Sequence, residues 1–445
     1  MDIQRICELL EEKQYRQLRE TLEDINPADI ALLLEELDEN SRAVVFRLLS
    51  KTAAAESFVE LESSTQSTLI RVFSDRELKE IVNELYVDDF VDIVEEMPAN
   101  VVRRILNQTD AQTRRVINEI LKYPDDSAGS VMTVEYVALK SGMTVADALA
   151  NIKRTGIDKE TIYNCYVVDS NRHLLGVVTA KSLLLADSDE AIDNLAERDI
   201  ISVTTLEDRE DVAKKFAKYD LLAIPVVDSE NRLVGIVTVD DAIDVLEEEA
   251  TEDIEKMAAI TPTDKPYFHT GVIQTWLKRI PWLLLMMVTA TFTGLVIQQY
   301  ETALAAQVAL TAFIPMLMGT AGNSGSQASV SIIRALSLGD ITMRDFFRVV
   351  SKELRVSVLC GVTLAAANFV KMLIFDRVDI MISATVCLTL VITVIFAKLF
   401  GSILPILAKR VGFDPAVMAA PFITTVVDTL SLLVYFNVAT TLLGI

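Results

Sequence analysis

Three patterns of apolar and polar positions succeed one another along the chain. From residue 1 to about residue 123, apolar residues recur at spacings of three and four against charged faces, as in Leu32, Leu33, Leu34 and Leu37 or Ile93, Val94 and Met97. That is the period of amphipathic helices. Pro27 and Pro98 punctuate the run. The stretch from Asp29 to Leu37 resembles that from Asp89 to Met97, a recurrence at 60 residues that predicts stacked helical units of the α-solenoid kind. Tyr123-Pro-Asp-Asp-Ser-Ala-Gly129 is a turn-rich boundary. Beyond it, short β-branched runs alternate with helical patterns. Tyr166 to Thr179 and Pro225 to Thr238 repeat each other at an offset of 59, each reading as strand, Asp/Ser/Asn turn, second strand and helix start. Five long apolar segments complete the chain, at about 280–298, 303–333, 356–375, 380–408 and 415–443. Lys371 and Lys398 interrupt the third and fourth, and the third spans a bilayer only if Lys371 snorkels to its surface.

The second apolar segment departs most from plain hydrophobicity. Its 31 residues without a charge exceed what a ~30 Å hydrocarbon layer requires. Yet its centre holds Pro315, Gly319, Gly322, Gly325, Asn323, Ser324, Ser326 and Gln327. This composition predicts a helix that is broken or closely approached, with freed backbone satisfied by protein or by a watery cavity. Tight packing through small residues is the plainer alternative, and it has no use for Asn323 and Gln327. In the last segment, Asp428 is the lone charge between residues 415 and 445. A carboxylate at that depth faces a cavity, a partner or an ion. On a helix, Thr424, Thr425 and Ser431 share its face, so a carboxyl hydrogen-bonded to these hydroxyls is the alternative reading.

Charge divides the chain. The net charge of −23 is made of about +4 over residues 271–445 and −27 over residues 1–270. So acidic a front excludes nucleic acid and anionic lipid as its partners and favours cations. Much of the excess falls in residues 240–255, where Asp241, Asp244 and Glu248 share one helix face and Glu249, Glu252 and Asp253 another. Like charges so placed repel, which calls for divalent cations unless water alone screens them. Asp88, Asp89 and Asp92 form a second carboxylate group. Four scattered cysteines and two histidines, His173 and His269, offer neither a disulfide framework nor a transition-metal site. No signal peptide precedes the first helix, and Lys278, Arg279, Arg344, Arg348, Lys352, Arg355, Lys409 and Arg410 fall on one side of the predicted spans. The positive-inside rule then places the N-terminus in the cytoplasm and the C-terminus outside.

Pro315, the Gly319-Thr-Ala-Gly-Asn-Ser-Gly-Ser-Gln327 run, Asp414-Pro415-Ala416 and Asp428 together resemble the MgtE family of magnesium channels, and the domain order agrees over the whole chain. The 59-residue repeat resembles a pair of cystathionine-β-synthase (CBS) domains. The implied architecture is multidomain: an all-α superhelical cytosolic domain (1–125), an α/β CBS pair (126–250), a connecting helix and linker (251–277) and a transmembrane domain of five α-helices (278–445). By resemblance the protein is a homodimer in the inner membrane that imports Mg²⁺ and closes when cytosolic Mg²⁺ binds its acidic domains. Asp428 becomes the selectivity carboxylate, with Gly322 and Asn323 in the pore wall. The sensor positions map onto Asp208, Glu210, Asp220, Asp241, Asp244, Glu249, Glu252 and Asp253, together with Asp88, Asp89 or Asp92. Gly235, Thr238 and Asp241 match the nucleotide pattern of CBS domains, which makes ATP a candidate ligand, while Ser182 breaks that pattern in the first repeat. No catalytic role is implied, and no Walker motif points to an ATP-driven pump. A broader Mn²⁺/Co²⁺ transporter, or a nucleotide sensor without transport, are the competing readings; the sensor would not need Asp428. CBS-regulated exporters and chloride channels carry their membrane part before the CBS pair, whereas here it follows.

Overall fold

A computed structural model of the chain describes residues 3–263, 267, 270–418 and 420–444. Part of the predicted linker, including His269, lies outside them. The chain divides into two compact units, Met1–Leu246 and Glu247–Ile445.

The first unit begins with ten short helices, from α1 (Ile3–Glu11) to α10 (Ala111–Ile120). Eight of them start on a strict beat, with N-cap residues at Asn26, Asp38, Ser50, Glu62, Ser74, Tyr86, Pro98 and Asp110, twelve apart each time. Asn26, Asp38, Ser50, Ser74 and Asp110 accept hydrogen bonds from the first-turn N–H groups, which the helix itself leaves unpaired. The residue before each N-cap is apolar at Leu37, Leu49, Leu61, Phe73, Leu85 and Met97, and these pack in or against the core. Eight to ten helical residues and a link of two to four thus form one twelve-residue unit, and the 60-residue recurrence is five such units. Most of these helices pack on the next but one, as α3 (Pro27–Glu36) does on α5 (Lys51–Val59) and α5 on α7 (Asp75–Val82), which suits a superhelical stack.

Each half of the 59-residue repeat folds as a small three-stranded sheet. In the first, β1 (Val137–Lys140) runs parallel to β2 (Asn164–Val168), which pairs antiparallel with β3 (Leu174–Thr179). In the second, β4 (Val203–Thr204), β5 (Ala223–Val227) and β6 (Leu233–Thr238) do the same, and both β2 and β5 carry a register shift before their last residue. Helices α11 (Val145–Thr155), α12 (Ala180–Leu185), α13 (Ile192–Leu195) and α14 (Arg209–Tyr219) cover the sheets. The halves join through Tyr166, Val168 and Leu174 against Val227, Leu233 and Ile236. The second half also shares one core with the helical stack, through residues such as Val212, Phe216 and Val245. Helix α15 (Val239–Met257) leaves β6 and crosses the boundary between the units.

Five long helices make up the second unit: α16 (Val272–Gln299), α18 (Ile314–Ser337), α19 (Phe346–Lys371), α20 (Ile380–Val411) and α21 (Ala420–Leu443), with short α17 (Glu301–Ala306) between the first two. Among the described residues, four helical stretches are long and apolar enough to cross a membrane: Val272–Gln299, Met343–Asp376, Ile380–Val411 and Pro421–Leu443. The fifth expected span is α18, whose central Gly, Ser, Asn and Gln lower its hydropathy. It packs against both α20 and α21. The 31-residue uncharged run is not one helix. It divides into the end of α17, a 3-10 turn (Val308–Phe313) and α18, because Pro315 suits the first turn of a helix and no later position. Lys371 ends α19 in an ion pair with Asp376 (3.0 Å).

Candidate functional site

Helix α18 is continuous through Gly319, Gly322 and Gly325, so the expected break is absent and the close-approach alternative is what the fold uses. A Cβ on Gly401 of α20 would overlap the Gly325 carbonyl oxygen. One on Gly325 would lie 2.8 Å from Ile423 Cγ2 and 3.2 Å from the Ala397 carbonyl oxygen, and one on Gly322 would lie 3.1 Å from Thr424 Cγ2. Glycine lets the backbones of α18 and α20 meet, and lets side chains of α21 press onto α18, where any side chain would hold them apart.

That approach brings the wall of α18 to Asp428. The Asp428 Oδ1 atom stands 3.6 Å from where a Gly322 Cβ would be. The carboxylate is half-buried, and among the described residues nothing donates a hydrogen bond to it. The hydroxyls expected to serve it do not: Thr424 and Thr425 both donate to the Pro421 carbonyl (2.9 and 3.0 Å), capping their own helix start. A charged group at this depth without donors depends on water or a cation for its solvation. Asn323, the next residue round α18, is exposed.

Carboxylates of the first unit gather around the start of α15. Asp88 is 6% exposed at the start of α8 (Val87–Glu96), and its nearest charged neighbours are Asp241, Asp89 and Glu160. Burial first, and these like charges second, hold the Asp88 carboxyl well above its usual range. The same causes push Asp89 up to about 7 and Glu160 up to about 8. Burial likewise raises Asp241 to about 6, although Thr238 donates to its Oδ2 through the hydroxyl. One Glu160 oxygen is buried without a hydrogen bond. Asp92 is exposed on the next turn of α8, while Asp241 is the strongest like charge acting on both Asp88 and Asp89, which sets these two beside the start of α15. Asp244 is exposed but adds to the negative field on Asp241.

Other expected sensor residues lie apart. Asp208 caps α14, accepting from the N–H groups of Glu210 (2.9 Å) and Asp211 (3.4 Å), while Glu210 pairs with Lys214 (2.6 Å). Asp220 ends the same helix in a left-handed conformation (φ 52°), about 18 Å further along its axis. Among the described residues no three acidic, His or Cys side chains are already arranged as a metal cage.

In the second unit, the far half of α15 answers the expected repulsion with a residue the sequence reading overlooked. Lys256 donates to Glu252 (2.5 Å) and to Asp414 (2.7 Å), the latter in the turn before α21. Burial works against its charge, but the two carboxylates outweigh it and raise the ammonium above its usual range. Ser337, at the end of α18, donates to Asp253 (3.4 Å), and Met257 packs against Ile333 and Ala416. Glu249 is half-buried one turn earlier. Lys256 is the one basic residue between Arg232 and Lys265, and its spacing from Glu252 was a legible signal.

The nucleotide-pattern residues serve the fold as well. A Cβ on Gly235 would meet Met132 Sδ at 2.7 Å and the Thr133 carbonyl at 2.8 Å, so the strand β6 needs glycine there for packing alone. Thr238 and Asp241 bond to each other. In the first half the corresponding pair is Thr179 and Ser182 (2.8 Å), without a charge.

Comparison with known proteins places these features in company. Residues 314–438 match the profile of the family described as MgtE, divalent cation transporter, residues 25–126 that of the MgtE intracellular N domain, and residues 128–189 and 192–248 that of the CBS domain. The magnesium transporter MgtE of Thermus thermophilus is 40% identical over 440 residues, 98% of this chain and 97% of that one. Its namesake in Bacillus subtilis is 33% identical over 438 residues, 98% and 96% of the two chains. Among solved structures, the cytosolic domain of the Mg²⁺ channel MgtE in complex with ATP superposes with a TM-score of 0.52 at 40% identity, over 54% of this chain and 98% of that one.

Proposed function

The chain belongs to the MgtE family, and we propose that it is a Mg²⁺-selective channel that imports Mg²⁺ down its electrochemical gradient and is shut by cytosolic Mg²⁺. The observation that carries the conduction half is Asp428, one carboxylate without donors held against a glycine-thinned helix. Mg²⁺ dehydrates reluctantly, so a pore for it needs few charges and room for water. In a homodimer two Asp428 carboxylates would flank one ion on the two-fold axis, with Gly322 and Asn323 in the wall. The distribution of Lys and Arg supports an inner-membrane protein with its N-terminus in the cytoplasm and its C-terminus outside.

The gating half rests on linkage. Carboxylates that repel when packed and relax when a divalent ion joins them make the packed arrangement Mg²⁺-dependent. Asp88, Asp89 and Asp241 would form one such station; Asp92, Asp208, Glu210, Asp220, Asp244, Glu249, Glu252 and Asp253 are the remaining candidates. At Glu252 an incoming Mg²⁺ must displace Lys256, so this position responds by exchange of one cation for another. The similar cytosolic domain was solved in complex with ATP, which supports ATP as a second ligand near Gly235, Thr238 and Asp241. The matching family is one of divalent cation transporters, which keeps Mn²⁺ and Co²⁺ among the ions to be assayed.

The test is Mg²⁺ flux into proteoliposomes. Asp428→Asn keeps the shape and removes the charge, so flux should fall at least about tenfold, as expected for losing the main electrostatic attraction for a divalent ion, with dimerisation unchanged. Undiminished flux in a folded Asp428→Asn protein would reject the pore assignment.

A further inference from the structure

Lys398 is the buried charge that the conduction reading leaves unused. It lies midway along α20, about 27 Å from its start and about 20 Å from its end along the axis. The residue is 6% exposed and makes no hydrogen bond or ion pair with any described residue. It borders a cavity of about 780 Å³ together with Asn323, Ser326, Gln327 and Ser331 of α18 and Glu353 of α19. The α18 residues fall at i, i+3, i+4 and i+8, a single polar stripe beside the glycine face that meets Asp428.

We propose that this cleft, on the face of α18 that carries Asn323, is a water-filled station on the ion pathway for a hydrated divalent cation, and that Lys398 is a tethered cation that keeps its occupancy low. The inference rests on reading the chain as an ion pathway. An ammonium taken out of bulk water without a partner needs other solvation, and an open cleft of mixed lining, with polar side chains along one stripe of α18, supplies it as water. An anion is a poor occupant, because Glu353 already lines the space with negative charge. At ~30 Å³ per water the volume holds roughly two dozen molecules, of which a hexahydrated ion would take about six. The Glu353 carboxylate, the amide oxygens of Asn323 and Gln327 and the two serine hydroxyls can all accept hydrogen bonds from those bound waters. This is outer-shell recognition, the kind suited to an ion that keeps its hydration shell. Lys398 addresses the same acceptors with its own N–H groups and repels the ion at short range. It acts as a specificity-determining residue by competition, and Asp428 remains the ligand on the main path.

Hexaamminecobalt(III), a stand-in for hydrated Mg²⁺ whose ligands do not exchange, is the probe, and the full-length protein in liposomes is the assay. Removing one positive charge from the chamber, in Lys398→Gln or the shape-matched Lys398→Met, should tighten block of Mg²⁺ flux about tenfold or more. Lys398→Arg should behave as wild type, and Glu353→Gln added to Lys398→Gln should return block to within about twofold of wild type, since the two charges then cancel. A Lys398→Gln protein that folds and is blocked like wild type overturns the proposal, as does a gain that survives Glu353→Gln. Calorimetric titration of the detergent-solubilised proteins with hexaamminecobalt(III) reads the same comparison without flux. If wild type itself carries no Mg²⁺, the transport reading fails while the titration still decides the chamber.

Discussion

Gly401 and Gly319 lie on neighbouring membrane helices and have opposite requirements. A Cβ at Gly401 would press into the Gly325 carbonyl, backbone against which nothing can rotate away, whereas one at Gly319 meets nothing within 4 Å. Gly401→Ala should therefore cost about 1–3 kcal/mol, the usual penalty for overpacking, and lower the melting temperature of the detergent-solubilised protein by several degrees. Gly319→Ala should be neutral or slightly stabilising. Equal melting temperatures for the two variants would contradict the close crossing of α18 and α20. Both helices also pack against α21, which carries Asp428, so the Gly401 variant should also lose flux although it touches no ion.

Helices α8 and α15 meet, within the first unit, through their acidic starts. Asp89 is raised to about 7, Glu160 to about 8 and Asp241 to about 6 by burial and by one another, with Asp240, Glu135 and Glu60 adding negative field. Their packed-state values lie above the ordinary carboxylate range, so the packed state binds more protons than the unfolded chain. Its stability is greatest below about pH 4 on account of these groups, and falls as pH rises from there through about 8. Mg²⁺ can replace the protons only where they have left. In EDTA the melting temperature should fall from pH 5 to pH 8, and millimolar Mg²⁺ should restore it at pH 8 with little effect at pH 5. Asp89→Asn combined with Glu160→Gln should flatten both dependences. A melting temperature that ignores pH in the absence of divalent ions would remove this cluster from the sensor. In the other half of α15, Lys256 already occupies Glu252, so the response of that position to Mg²⁺ should be the weaker of the two.

At the scale of the whole chain, the proposed function assigns sensing to the acidic front and conduction to the membrane part, whose net charge is about +4. Deleting residues 1–125 removes Asp88, Asp89 and Asp92 while leaving Asp428 and every membrane helix intact. Flux through the truncated protein should persist at cytosolic Mg²⁺ concentrations that close the full chain. Closure over an unchanged Mg²⁺ range would show that the helical stack is not part of the sensor, and would shift that role to the CBS pair and α15.

Periodicity determined much of this protein in advance. The 3.6-residue pattern, the 59-residue repeat and the apolar runs specify helices, paired strands and membrane segments because each depends on the order of residues along one element. The 12-residue beat of the helical stack is equally present in the sequence, in the caps from Asn26 to Asp110, and the 60-residue recurrence is its fifth multiple. Pairings between distant residues were another matter. That Asp88 and Asp89 would meet Asp241, that Lys256 would join Glu252 to Asp414, and that Thr424 and Thr425 would serve Pro421 and leave Asp428 alone depend on how helices cross. The continuity of α18 through three glycines was likewise decided by the neighbours that take up the space a side chain would have filled. Burial converted ordinary carboxylates into titrating ones, and burial is a property of packing, which no single stretch of sequence contains.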